Sequence, residues 1–211
     1  MNKVIPIFPL ELVVYPGEAL NLHIFEPRYK QLITDSFKAR TPFGIPSVVD
    51  KQIMGMGTLV ELLEITNVAE DGQMDIKTRG FEIFRINETF KQLPSKLYSG
   101  ARIEFLKNEI KNEPELLRQV YAKVKVLLKL VDADKEFPKP IAQMSSYDLA
   151  HHAGLSPLQE YELLGLLAEN LRLEYLDRHL VKILPIVGEI KNLKAKIQLN
   201  GYFKALPGFE L

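Results

Sequence analysis

Apolar and polar positions follow two different rhythms along this chain. Up to about residue 107 they alternate in short runs broken by proline and glycine, which is the grammar of strands. Leu20, Leu22 and Ile24 alternate with Asn21, His23 and Phe25, predicting a strand with one buried face. Pro6 and Pro9 confine Val4–Phe8 to a sheet edge or strand end, and Pro16-Gly17 has the chemistry of a tight turn. Pro27 suits the first turn of a helix, and Tyr29, Leu32, Ile33 and Phe37 follow at helical spacing. Glu26-Pro27-Arg28-Tyr29 is therefore a strand-to-helix joint. Further strands are predicted over 57–68 and 74–78, joined through the hairpin signal Asp71-Gly72. Two more follow over 81–86 and 98–106, with Gly80 as a bulge or a point of close backbone approach. Gly55-Met56-Gly57 reads as a turn before a strand. Apolar residues on both faces of Phe81–Ile86 mark a buried strand of a barrel or strongly curled sheet.

From Asn112 the rhythm becomes helical. Asn112-x-x-Glu115 resembles a capping box, and Leu117, Val120, Tyr121, Val124, Leu127, Leu128 and Val131 form one stripe. A loop covers 132–140. Ser145-x-x-Asp148 opens a short helix that Gly154 closes, and Ser156-Pro157-Leu158-Gln159 combines an N-cap, a proline at N1 and a capping-box glutamine. A final helix is predicted over 171–197, kinked at Pro185 with help from Gly188. The fold class is thus α+β: a β-rich half with one inserted helix over 1–110, then a helical bundle over 111–211 that ends in a long helix.

Composition narrows the function classes. With 211 residues and 46% apolar content the chain can bury a sizeable core unaided. Lys plus Arg and Asp plus Glu number 27 each, so no global field draws in nucleic acid or an anionic membrane. There is no cysteine, which excludes disulfides and Cys-ligated metals. The first ten residues make no convincing signal peptide, and no apolar run reaches the roughly 18 residues of a membrane span. The expectation is a soluble, cytoplasmic protein.

An ordered set of phrases carries a resemblance. Pro6-Ile7-Phe8-Pro9-Leu10, Pro16-Gly17 and Leu22-His23-Ile24-Phe25-Glu26-Pro27-Arg28-Tyr29 resemble the start of the Lon protease N-terminal (substrate-recognition) domain. Gly57-Thr58, Asp71-Gly72 and Arg79-Gly80-Phe81-Glu82-Ile83-Phe84-Arg85-Ile86 continue it in order, and Tyr147–Ala150 and Leu173–Leu176 extend it more loosely. The resemblance implies a PUA-like β-barrel followed by a helical subdomain, acting in polypeptide recognition. Ile83 departs from it: related sequences often carry arginine there, which leaves any charged contact from that position open. Lon proteases add an ATPase and a Ser-Lys peptidase. This sequence has no Gly-x4-Gly-Lys-Ser/Thr loop and stops at Leu211, so peptidase activity does not carry over.

The search for chemistry is otherwise negative, and no catalytic residue, metal or cofactor is expected. His151 and His152 are adjacent and diverge on a helix, where they favour its C-terminal dipole, and His23 and His179 read as ordinary polar positions. Arg28 has two readings. It pairs with a nearby carboxylate to hold the joint while Tyr29 packs inward, or it forms with Lys30 the rim of a peptide-binding surface that includes Phe25 and Glu26. The tail Gly201–Phe209, too broken for a helix, either packs back on the body or binds a partner. The reading that follows is a non-catalytic module for unfolded or tagged polypeptides, an adaptor in protein quality control, with a separate protease or chaperone as an open partner. The alternative is RNA binding through Lys191, Lys194, Lys196 and Lys204.

Overall fold

The computed structural model describes residues 3–109, 113–133 and 135–204, with side chains as far as Ile197. Contacts divide the chain into two compact units, Met1–Lys111 with Leu155–Glu169, and Asn112–Gly154 with Asn170–Leu211. Residues 155–169, placed by the sequence rhythm in the helical half, group with the sheet.

The first unit is built on antiparallel strands β1 (Lys3–Pro6), β2 (Ala19–Ile24), β3 (Phe43–Val49), β4 (Gln52–Val68), β5 (Met74–Phe90) and β6 (Gly100–Phe105). Their order is β1-β6-β5-β4-β3, with β2 also paired to β5. Beyond β1 the chain makes parallel bridges to β3, Ile7 to Gly44 and Leu10 to Ser47. The two ends of the strand order therefore meet, and the sheet curls shut as a barrel with its edges consumed there. Inside lie Phe8, Val14, Ile24, Phe43, Ile45, Val60 and Ile76, with a second cluster around Ile5, Ile7, Leu59, Phe84 and Ile103.

Helix α1 (Pro27–Ala39) starts as expected, with Glu26 as N-cap and proline in its first turn. Its buried face is Tyr29, Leu32, Ile33 and Ser36. Ser36 takes the inward position two turns after Tyr29, and Phe37, expected in the same stripe, turns outward and is 58% exposed.

The strands differ from the sequence reading in two places. β5 is continuous through Gly80, joining two predicted strands. Gly80 is where the backbones approach closely: an added Cβ would lie 2.5 Å from the Tyr15 carbonyl oxygen, and the Gly17 N–H donates to the Gly80 carbonyl at 2.8 Å. Gly55 and Gly57 lie inside β4, and the turn before it is Asp50-Lys51. Both of these residues sit at positive φ, 49° and 64°, between the paired Val49 and Gln52, as a two-residue hairpin turn demands. Gly57 is required because a Cβ there would meet the Ile45 carbonyl oxygen at 2.3 Å.

Helix α4 (Pro157–Gly165), opened by the expected Ser156/Gln159 capping box, belongs to this unit. The Tyr15 hydroxyl donates to the Glu160 carbonyl at 3.0 Å, and the Glu109 N–H donates to the Leu167 carbonyl at 2.7 Å.

The second unit contains α2 (Pro114–Leu130), a 3-10 turn over Ile141–Gln143, α3 (Ser146–Ala150) and most of α5 (Glu169–Lys204). The N-cap of α2 is Glu113, with Pro114 in the first turn; the expected cap Asn112 lies outside the described residues. Leu117, Val120, Val124, Leu127 and Leu128 bury its stripe, while Val131 lies past the last turn and is exposed. The Ser145/Asp148 capping box is present, and Gly154 turns with φ +70°. Arg172 is fully buried: its Nε donates to Ser146 Oγ at 2.9 Å and its guanidinium lies 4.3 Å from the centre of the Tyr147 ring. Helix α5 runs on through Pro185 and past Ile197, so the backbone of 201–204 is helical, against expectation. The side chains of Gly201–Phe209, and with them both readings of the tail, lie outside the described residues. No described helix is long and apolar enough to cross a membrane.

Candidate functional site

The N-terminal end of α1 holds the residues that the sequence singled out. Phe25 projects outward and is 59% exposed. Arg28 pairs with the N-cap Glu26 at 2.7 Å, and its guanidinium lies 4.5 Å from the centre of the Tyr29 ring. Tyr29 is buried and stacks on Phe8 with ring centres 3.9 Å apart, and burial pushes its phenol above the usual range. Lys30 donates from Nζ to the Asp71 carbonyl in the β4–β5 turn at 2.8 Å. Next to the joint, His23 bridges Asp75 (2.8 Å) and Gln73 (2.9 Å), and the Asp75 bond, followed by that to Gln73, raises the imidazole above its ordinary value. Of the two readings of Arg28, the geometry displays the pairing one: Glu26, Arg28, Tyr29 and Lys30 bind one another or the adjacent turn. Phe25 alone of the five faces outward as a large apolar side chain.

The C-terminal end of α1 is arranged differently. Arg40 ends the helix in the left-handed region at φ 51°, its N–H directed to the Phe37 carbonyl, and the chain reverses toward β3. The reversal opens a groove of ≈ 640 Å³ lined by Phe37, Lys38, Arg40, Pro42, Leu63 and Phe81 among others. Pairing between β3 and β4 begins at Phe43–Val60, so from Glu61 onward β4 has a paired neighbour on its β5 side alone among the described residues. Two register shifts shape the wall. Leu59 opposes Glu82 and Val60 opposes Gly80, which leaves Phe81 as the extra residue; Leu62 opposes Thr78 and Glu64 opposes Lys77, which leaves Leu63. Bulges re-aim side chains, and both bulge residues line this groove. Leu63 is 47% and Phe81 39% exposed, beside the exposed Phe37.

The rim carries Lys38, Arg40 and Glu61. The nearby Asp35 is already engaged, 2.8 Å from Lys96 Nζ and 2.9 Å from the Tyr98 hydroxyl. The Lys96 bond, aided by Tyr98, holds that carboxyl below the usual range. Burial, then the bond to Asp35, pushes Tyr98 up to about 12. Sequence reasoning missed this groove. Its one local signal was the pair Leu62-Leu63 inside an alternating strand, which puts an apolar side chain on each face.

Nothing here is arranged for catalysis by a metal: no cluster of His, Asp or Glu among the described residues is placed to hold one. His151 and His152 line a separate apolar hollow of ≈ 450 Å³ with Leu127, Leu128 and Ile183, and the ring of His152 stands edge-on to Phe137. His179 reaches the Gly154 carbonyl at 3.2 Å. Of the lysines proposed to face RNA, Lys191 is bound to Asp132 at 2.7 Å and to the Lys129 carbonyl at 3.1 Å. Lys194 and Lys196 are exposed, and the Lys204 side chain lies outside the described residues.

Comparison with known proteins agrees with this architecture. The family described as the ATP-dependent protease La (LON) substrate-binding domain matches residues 4–184. Among solved structures, a Lon N-terminal domain protein from Xanthomonas campestris is 25% identical, with a TM-score of 0.60 over 82% of this chain and 96% of that one. The N-terminal domain of a Mycobacterium avium complex Lon protease, 15% identical, shares the fold with a TM-score of 0.59 over 85% of this chain and 98% of that one. No curated protein matches the sequence.

Proposed function

The chain belongs to the Lon substrate-binding domain family, and from that premise we propose that it binds polypeptide without transforming it, through the groove between the end of α1 and the bulged wall of β4 and β5. The observation that carries this reading is the set of three large apolar side chains, Phe37, Leu63 and Phe81, left outward around one concavity. Apolar surface gathered in this way gains free energy when an unfolded segment covers it, at roughly 25 cal/mol per Å² removed from water. Folded clients hide such side chains, and so an unfolded or tagged polypeptide is the ligand class. Phe25, at the other end of α1, is a second contact on this proposal. Glu26, Arg28, Tyr29 and Lys30 hold in place the helix that runs between the two contacts. On the same proposal the module is an adaptor that delivers clients to a separate protease or chaperone.

The test is a titration of the protein with fluorescently labelled, permanently denatured polypeptide. Saturable binding tighter than about 100 μM, roughly −5.5 kcal/mol, is expected. Flat anisotropy up to that concentration would remove the reading.

A further inference from the structure

The groove is apolar in its walls but charged at its rim, and the rim is unbalanced. Lys38 and Arg40 stand on the α1 side, both exposed, and neither side chain forms an ion pair or hydrogen bond with another described residue. One carboxylate, Glu61, shares the lining, and across the strand pair it opposes Arg79. The other acid close to Lys38, Asp35, is taken by Lys96 and Tyr98. Two cations therefore face whatever enters, against a single acid that already has a cationic neighbour in register. On the far wall, the β4 backbone beyond Val60 has lost β3 as a partner, which suits an extended main chain lying along the groove.

Resting on the polypeptide-binding reading above, we infer that the groove selects extended segments in which a bulky apolar residue is flanked by an acidic one. The apolar side chain enters between Phe37, Leu63 and Phe81, and the acidic side chain meets Lys38 and Arg40. Rim charges of this kind set partner choice and association rate more than total affinity. A segment flanked by lysines would place like charges together and be disfavoured. An RNA strand would satisfy the cations and stack bases on Phe37 and Phe81, but its phosphates meet Glu61 and it leaves the aliphatic Leu63 without a partner.

The experiment uses the full chain and three unstructured synthetic peptides that share a central Leu-Phe pair, flanked by Glu, Gln or Lys. Binding by fluorescence anisotropy is expected in the order Glu, Gln, Lys, with roughly three- to tenfold between the extremes, as a pair of exposed charge contacts allows. The spread should shrink as salt rises from about 0.05 to 0.5 M. The double variant Lys38→Glu/Arg40→Glu should invert the order, and Lys38→Gln/Arg40→Asn should level it; asparagine tolerates the left-handed conformation at residue 40. Three equal affinities, or an order that neither variant changes, would overturn the acidic preference while leaving polypeptide binding intact. If no peptide binds and denatured polypeptide fails as well, the underlying reading falls with it. A homopolymeric RNA that competes with the Glu-flanked peptide would overturn the choice of ligand class.

Discussion

The two ends of α1 carry similar side chains and use them in opposite directions. At the N-terminal end a tyrosine, an arginine, a lysine and a glutamate turn toward one another: Tyr29 lies on Phe8, Arg28 covers Tyr29 and pairs with Glu26, and Lys30 ties down the β4–β5 turn. At the C-terminal end a phenylalanine, a lysine and an arginine turn outward around a groove. The conspicuous phrase Glu-Pro-Arg-Tyr thus marks how the helix is mounted, and the inconspicuous end is where surface is left uncovered. The difference teaches that a memorable motif and a surface proposed to bind answer to different constraints. One is fixed by internal satisfaction and the other by its deliberate lack.

The sharpest break of this contrast is a pair of aspartates. Tyr29→Asp puts a carboxylate against Phe8 and the barrel interior and should cost about 2–4 kcal/mol of stability. Phe37→Asp, on the exposed face of the same helix, should stay within about 0.5 kcal/mol. Urea unfolding midpoints separate the two, and equal losses would erase the distinction between a mounting end and an open end.

A smaller effect sharpens it from the side of binding. Phe81→Ser removes one wall of the groove and should weaken denatured-polypeptide binding about fivefold, the equivalent of roughly 1 kcal/mol for a partly covered ring. Arg28→Gln gives up an exposed ion pair and a cation–π contact, together worth about 0.5–1 kcal/mol of stability, and should leave binding unchanged. If Arg28→Gln weakens binding as much as Phe81→Ser does, the joint is itself part of the recognition surface.

How legible all this was depends on range. The joint at Pro27, the capping boxes at Ser145 and Ser156 and the turn at Asp71-Gly72 were readable because a few neighbouring residues determine each. The Asp50-Lys51 turn was not. Neither residue favours positive φ as glycine does, and the pairing of β3 with β4 imposes that conformation from both sides. Gly80 was legible as a point of close backbone approach, but the single strand running through it was not, because no local window sees β2, β4 and the Tyr15–Glu18 turn closing on β5 together. The return of 155–169 to the sheet rests on hydrogen bonds from Tyr15 and Glu109, far away in sequence and without any periodic signature. The groove was hidden for the same reason. Phe81 and Leu63 become bulge residues through the register between β4 and β5, which alternation within either strand does not encode.

The smallest expected effect lies beside the mounting end, where a single titration probes whether its polar groups are held in place. His23 is exposed, faces Asp75 and Gln73, and feels Asp71 at longer range. These partners raise the imidazole pKa in the folded chain, the Asp75 bond most, and the same bond lowers the Asp75 carboxyl. A raised histidine contributes stability that is fully present below its unfolded value, near 6.5, and is lost as pH rises through the folded value. A lowered aspartate contributes above its own unfolded value and loses that contribution as pH falls through the folded one. The pair is therefore strongest on the acid side of neutrality, with the aspartate charged and the histidine protonated. Proton NMR of the His23 ring should give a midpoint above 6.5, and Asp75→Asn should bring it back down toward 6.5 without moving the urea midpoint appreciably at pH 8. A His23 midpoint that ignores Asp75→Asn would mean the bridge does not persist in solution. The polar groups around the joint would then be as uncommitted as those at the groove.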